Sequence, residues 1–138
     1  MTEKALGEGL ETGIAEIDDE HRLQIELVQL LQEALGTSDA AGRAVEVLSR
    51  LLDYTHVHFE AEGLMMRLHA YPGYQAHLQE HEKLLGQLEE LQRYFAAGEF
   101  APSRELVDAV RHWLVDHIRT VDRAFATFLE TSRKTATP

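Results

Sequence analysis

Apolar side chains recur at alternating steps of three and four along four stretches of the chain, the spacing that gathers one face of an α-helix. In the first stretch His21, Ile25, Val28 and Leu35 share a face, while Arg22, Glu26, Gln29 and Glu33 lie together away from it. The second places Ala44, Val47, Leu51, Tyr54, His58, Glu62 and Met65 in one stripe, and the third His77, His81, Leu84, Leu88, Leu91 and Phe95. The fourth offers Leu106, Val110, Trp113, His117, Val121, Ala124 and Phe128. Turn and cap residues mark the limits. Asp18 reads as the N-cap of a helix that ends near Gly36, and the second helix follows Ser38-Asp39 and runs to about Ala70. Tyr71-Pro72-Gly73 is a turn; the third helix runs from about Tyr74 to Ala97, with Gly98 as its stop. The fourth starts near Ser103, just after Pro102, and runs to about Thr131, leaving 132–138 as a frayed tail. No stretch alternates with the period of a strand. The pattern predicts an all-α protein, one domain over residues 1–138, folded as an up-down-up-down four-helix bundle.

Composition narrows the chemistry. At 138 residues, 44% hydrophobic and 27% charged, the chain has the balance of a globular domain with a sizeable core. Its net charge of -11 argues against nucleic acid and anionic membrane surfaces, which call for a basic face. The absence of cysteine removes disulfide scaffolds, thiolate-bound zinc and iron–sulfur clusters together. Any metal must then be held by imidazole and carboxylate, which suit iron, manganese or zinc. Met1 to Thr12 lacks the apolar core of a signal peptide, and no apolar run approaches ~18 residues. The expectation is a cytoplasmic protein with no membrane insertion.

The histidines change the picture. A bundle stripe should be Leu, Ile, Val and Ala, yet every stripe here carries at least one histidine, and the second adds Glu62. Burying an unpaired carboxylate costs several kcal/mol, on the order of 3–5 when a partner is missing. A metal ion relieves this, because coordination neutralises the carboxylate and satisfies the imidazole lone pairs at once. The spacings agree: His77 and His81 stand one turn apart, ~6 Å along the axis, and His58 and Glu62 repeat that relation. His21 and the His77/His81 pair lie early in helices one and three, while His58 and His117 lie late in helices two and four. In an antiparallel bundle these positions meet at one end of the core. A lone stripe histidine is more often an ordinary core or boundary residue, and Glu62 alone is more often a solvated rim residue. Five stripe histidines on four helices make coincidence a poor account. His56 and His112 point roughly 160° and 140° away from their neighbours on the stripe. His69 closes helix two. All three read as surface residues, His69 at a helix end where the dipole favours it.

At these residues the sequence resembles the hemerythrin family, most closely its bacterial single-domain form. The matching positions run from Thr12-Gly13-Ile14 through Ile17-Asp18 and His21 to His58-Phe59, Glu62 and Met66. They continue with Tyr71-Pro72, His77 and His81, and close with Trp113-Leu114, His117-Ile118 and Asp122. The resemblance implies two iron ions (Fe2+/Fe3+) joined by two carboxylates and a bridging oxo or hydroxo group. By position His77, His81 and His117 hold one iron, His21 and His58 the other, and Glu62 and Asp122 bridge. One ion then has six ligands and its partner five, which leaves a vacancy for dioxygen. Asp122 enters this set through the resemblance alone. Five residues after His117 it lies about 140° round an ideal helix, so spacing by itself leaves it solvated. A π-bulge between the two is expected to swing it inward. Two departures stand out: Gly63 where many relatives carry a second acidic residue, and Glu20 where glutamine is frequent.

The implied function is reversible dioxygen binding as carrier, store or supplier, without enzymatic turnover. Dioxygen is the expected partner, and no recipient of it is named. Trp113, Leu114 and Ile118 place apolar bulk around His117, the expected wall of a dry oxygen pocket. The alternative is a di-iron enzyme acting on peroxide, nitric oxide or ferrous iron, which the ligands alone do not separate from a carrier.

Overall fold

The computed structural model describes residues 10–36 and 40–136. Helix α1 spans Ala15–Leu35, α2 Ala40–Leu68 and α3 Tyr74–Ala96. A fourth rod contains α4 (Phe100–His117), a π-helical turn (Ile118–Asp122) and α5 (Arg123–Ala136). The helices pack α1 on α2, α2 on α3 and α3 on α4, and α4 closes against α1. There is no strand among the described residues, and none of their helices is long and apolar enough to cross a membrane. This is the expected four-helix bundle.

The core falls into two parts. Val28, Leu31, Leu48, Leu51, Leu88, Leu91, Val107 and Val110 belong to the larger cluster, and Ile14, Met66, Phe125 and Leu129 to the smaller. Each helix passes from one cluster to the other through a histidine or carboxylate. On α2, Glu62 separates Phe59 from Met66; on the fourth rod, Asp122 separates Ile118 from Phe125. The polar groups thus form a layer between two apolar ones.

The helix ends differ in detail from the sequence reading. Asp18 is not an N-cap: α1 begins three residues earlier, and Asp18 is buried in its first turn. Its carboxylate accepts from Thr12 N (2.8 Å), Thr12 Oγ1 (2.7 Å) and Gly13 N (3.2 Å), folding the preceding segment onto the helix. That turn requires Gly13, whose φ is +87°. The expected start of α2 at Ser38-Asp39 lies outside the described residues. At the end of α3, Gly98 (φ +74°) donates to Phe95 O and Glu99 to Tyr94 O, the paired bonds of a glycine C-cap. Helix α4 begins before Pro102, which falls in the first turn, where no N–H partner is needed. Helix α5 continues past Thr131 to Ala136.

Candidate metal centre

The fourth rod decides the site. Up to His117 its buried positions are Ser103, Val107, Val110, Leu114 and His117, in ordinary helical phase. The π-turn then adds one residue, and the buried face resumes at Asp122, Phe125 and Leu129. The expected stripe Val121, Ala124, Phe128 is therefore displaced by one position, with Ala124 exposed and the other two half-buried. Within the turn the Thr120 hydroxyl donates to the Asp116 carbonyl at 2.8 Å, supplying a bond where the backbone ladder slips. The structure thus has the anticipated bulge, and Asp122, 3% exposed, faces inward.

His21, His58, Glu62, His77, His81, His117 and Asp122 are all buried and converge. Glu62 Oε1 lies 2.8 Å from His77 Nε2 and 2.9 Å from His81 Nε2, while Oε2 lies 3.6 Å from His58 Nε2. Asp122 Oδ1 lies 2.9 Å from His77 Nε2 and 3.0 Å from His117 Nε2, while Oδ2 lies 3.0 Å from His21 Nε2. Each carboxylate turns one oxygen to the three-histidine side and the other to the two-histidine side. The nitrogens meet these oxygens without directed hydrogen bonds: Nε2 of His21, His77, His81 and His117, with Glu62 Oε1 and Asp122 Oδ1, are buried and unpartnered. Neighbouring ligands on an octahedral ion with bonds of about 2.1 Å stand about 3 Å apart. The donor set fits a metal ion on each side.

Aromatic rings stack on two of the imidazoles, and outer carboxylates lie near the Nδ1 atoms of two. Phe59 stacks on His81 (3.6 Å between centroids, 3° between planes), and Trp113 on His117 (4.6 Å, 12°). Glu20 Oε2 sits 3.3 Å from His58 Nδ1, and Glu80 Oε1 3.8 Å from His117 Nδ1. A carboxylate at Nδ1 favours the tautomer that leaves Nε2 free for a metal. Tyr54 donates to the Glu20 carbonyl at 3.1 Å and stacks on His58, binding α1 to α2 at this level.

The charges are strongly interdependent. Burial and Asp122 oppose ionisation of Glu62, yet the His77 and His81 imidazoles hold its pKa down to about 2. Asp122 is likewise held well below the usual carboxylate range, against burial, by His117, His21 and His77. Burial pulls His77 down, but Asp122 and Glu62 outweigh it and raise the pKa to about 9. For His81 burial dominates, and its pKa falls below the ordinary value. A cluster built of stabilised anions is prepared for cations.

The hemerythrin HHE cation-binding domain matches residues 12–129, nearly the whole described chain. The chain belongs to the hemerythrin family. It is 34% identical to the bacteriohemerythrin of Methylococcus capsulatus over 91% of this chain and 93% of that protein. It is 32% identical to the myohemerythrin of Sipunculus nudus, covering 77% of each. A crystal structure of wild-type hemerythrin superimposes with a TM-score of 0.79 at 32% identity, over 92% of this chain and 95% of that one.

The three remaining histidines lie apart. His56, His69 and His112 are exposed, and His69 Nδ1 lies 2.9 Å from Met65 O near the end of α2. Of the expected pocket residues, Leu114 and Ile118 are buried, at 1% and 0% exposure, whereas Trp113 is half-buried and stacked on His117. Sequence reasoning missed Glu80 and the stacking of Phe59, and noted Glu20 only as a departure from the family pattern. An acid one position before His21 and another before His81 was the available signal. It also missed Gln24 and Thr55, buried at 1% and 0% one turn from His21 and His58.

Proposed function

We propose that this hemerythrin binds dioxygen reversibly at a non-haem di-iron centre, as a carrier, store or supplier. The observation that carries the reading is the division of each carboxylate, one oxygen towards three histidines and one towards two. In this reading His77, His81 and His117 hold one iron, His21 and His58 the other, and Glu62 and Asp122 join them. The count leaves the two-histidine iron one ligand short. A ferrous pair supplies the two electrons that dioxygen accepts on binding and returns on leaving. The chain's own residues do the rest. Glu20 and Glu80 place negative charge near His58 Nδ1 and His117 Nδ1, and Phe59 and Trp113 hold the planes of His81 and His117. Leu114 and Ile118 exclude water from the layer next to the cluster, which favours release of dioxygen over its reduction.

A second reading, turnover of peroxide, nitric oxide or ferrous iron, draws support from Gln24 and Thr55. Each has a buried polar atom without a partner, one helical turn from a histidine of the site. The optical spectrum separates the two. The reduced protein is expected to develop a visible band in air and to lose it when dioxygen is removed, over repeated cycles, with two irons per chain by metal analysis. Steady consumption of peroxide or nitric oxide with a reductant, and no reversible band, would replace the carrier by the enzyme. His81→Ala is expected to lose at least one iron; full occupancy in that variant would overturn the ligand assignment.

A further inference from the structure

A cleft of about 320 Å³ opens between the start of α1, the later half of α2 and α5, and Glu62 lines it. Glu16 and Glu20, one turn apart on α1, stand along the same wall, with Ile17, Ala61 and Met65 between and opposite them. The three carboxylates are graded in burial: Glu16 is exposed, Glu20 is 43% exposed at its side chain, and Glu62 is 7% exposed. None of the residues lining the cleft is basic. Glu62, the most buried of the three, has its Oε1 buried without a directed hydrogen bond, beside His77 and His81. An ion with six waters needs roughly 180 Å³ at about 30 Å³ per water, so the cleft has room for a hydrated cation.

We propose that this cleft is the path by which ferrous iron enters, with Glu16 and Glu20 as successive transient oxygen ligands that pass the ion to Glu62. The inference rests on the di-iron reading above. A charged ion must shed water on its way into a buried layer, and carboxylates met in sequence replace that water stepwise. A negatively lined cleft also concentrates cations at its mouth. Dioxygen, being neutral, gains nothing from the acids, although the apolar wall suits it.

Iron uptake by the metal-free protein tests the route. Ferrous iron is mixed anaerobically with the protein, and uptake is followed in time and at its endpoint. Glu16→Gln is expected to slow uptake about threefold and Glu16→Lys about tenfold or more, with two irons still bound at the end. Raising the salt concentration should narrow the differences. Glu105→Gln, the same charge change on an exposed residue of α4, should leave the rate unchanged. Ala61→Trp, which fills the cleft without altering charge, should slow uptake as well. Equal rates in the wild type and both Glu16 variants would overturn the proposal. So would an Ala61→Trp protein that loads iron normally and slows only its reaction with dioxygen, since the cleft would then be a gas path. Failure of the wild-type protein to reach two irons would count instead against the di-iron reading itself.

Discussion

Gln24 and Thr55 sit where the pattern of a bundle calls for aliphatic residues. The Tyr54–Glu20 bond sets α1 and α2 level at the metal layer. Since the helices run antiparallel, a step from His21 to Gln24 and a step from His58 back to Thr55 move in the same direction, about 4.5 Å further into the bundle. Ser103, Thr120 and Thr131 each donate to the carbonyl four residues earlier, whereas the Thr55 hydroxyl and the Gln24 amide nitrogen have no partner. Such groups are costly to bury, and replacing them by apolar groups of similar shape is neutral or stabilising. Gln24→Leu is therefore expected to stabilise the metal-free protein by about 1 kcal/mol, raising the melting temperature by roughly 3–5 °C. Thermal melts followed by circular dichroism measure it. A lower melting temperature would mean that the amide is well bonded in solution.

At the scale of elements, two backbone positions near the site carry avoidable cost. Gly63 lies inside α2, directly after Glu62, and a Cβ there would meet its nearest neighbours at ordinary distances, 3.8 Å from Arg67 Nη1 and 3.9 Å from a Tyr74 ring carbon. Gly63→Ala is expected to stabilise the helix by about 0.5–1 kcal/mol. Ala70 closes α2 with φ +49°, a conformation glycine adopts freely and alanine does not. Ala70→Gly is expected to gain about 0.5–1 kcal/mol once the added freedom of the unfolded chain is subtracted. Denaturant midpoints of the two variants and of their combination check both, and a loss in either would locate a contact that the backbone argument omits. The sites are seven residues apart but both touch Arg67, through Nη1 beside position 63 and through the carbonyl that accepts from Ala70 N, so the combined variant reads out any coupling between them.

For the whole molecule, the polar layer links stability to pH. Glu62, lowered from 4.5 to about 2 on folding, contributes stability that is present above pH 4.5 and lost as pH falls through about 2. His77, raised from 6.5 to about 9, contributes stability that is present below pH 6.5 and lost as pH rises through about 9. The metal-free protein is thus expected to be most stable between about pH 4.5 and 6.5. Metal ions take the place of protons on the imidazoles, so the loaded protein should lose the alkaline decline. Urea melts from pH 3 to 10 on both forms read this out, and parallel curves would show that His77 is not protonated in the metal-free layer. Proton release on iron loading at neutral pH provides a second measure.

The amino-acid pattern by itself determined the four helices, their order, the burial of five histidines and the compensation that Glu62 requires. These are consequences of period and polarity, which are local properties of a chain. It did not determine Asp122 or the phase of the last helix segment. A helical repeat extrapolated through His117 buries Val121 and Ala124, and the sequence alone carries no local mark that one extra residue enters the turn. That choice belongs to the tertiary structure. The π-turn gives up regular backbone bonding so that Asp122 faces His21, His77 and His117, while Phe125 and Leu129 join Met66 in the smaller core. The contacts that make the turn worthwhile come from three other helices and exist only when the bundle is assembled.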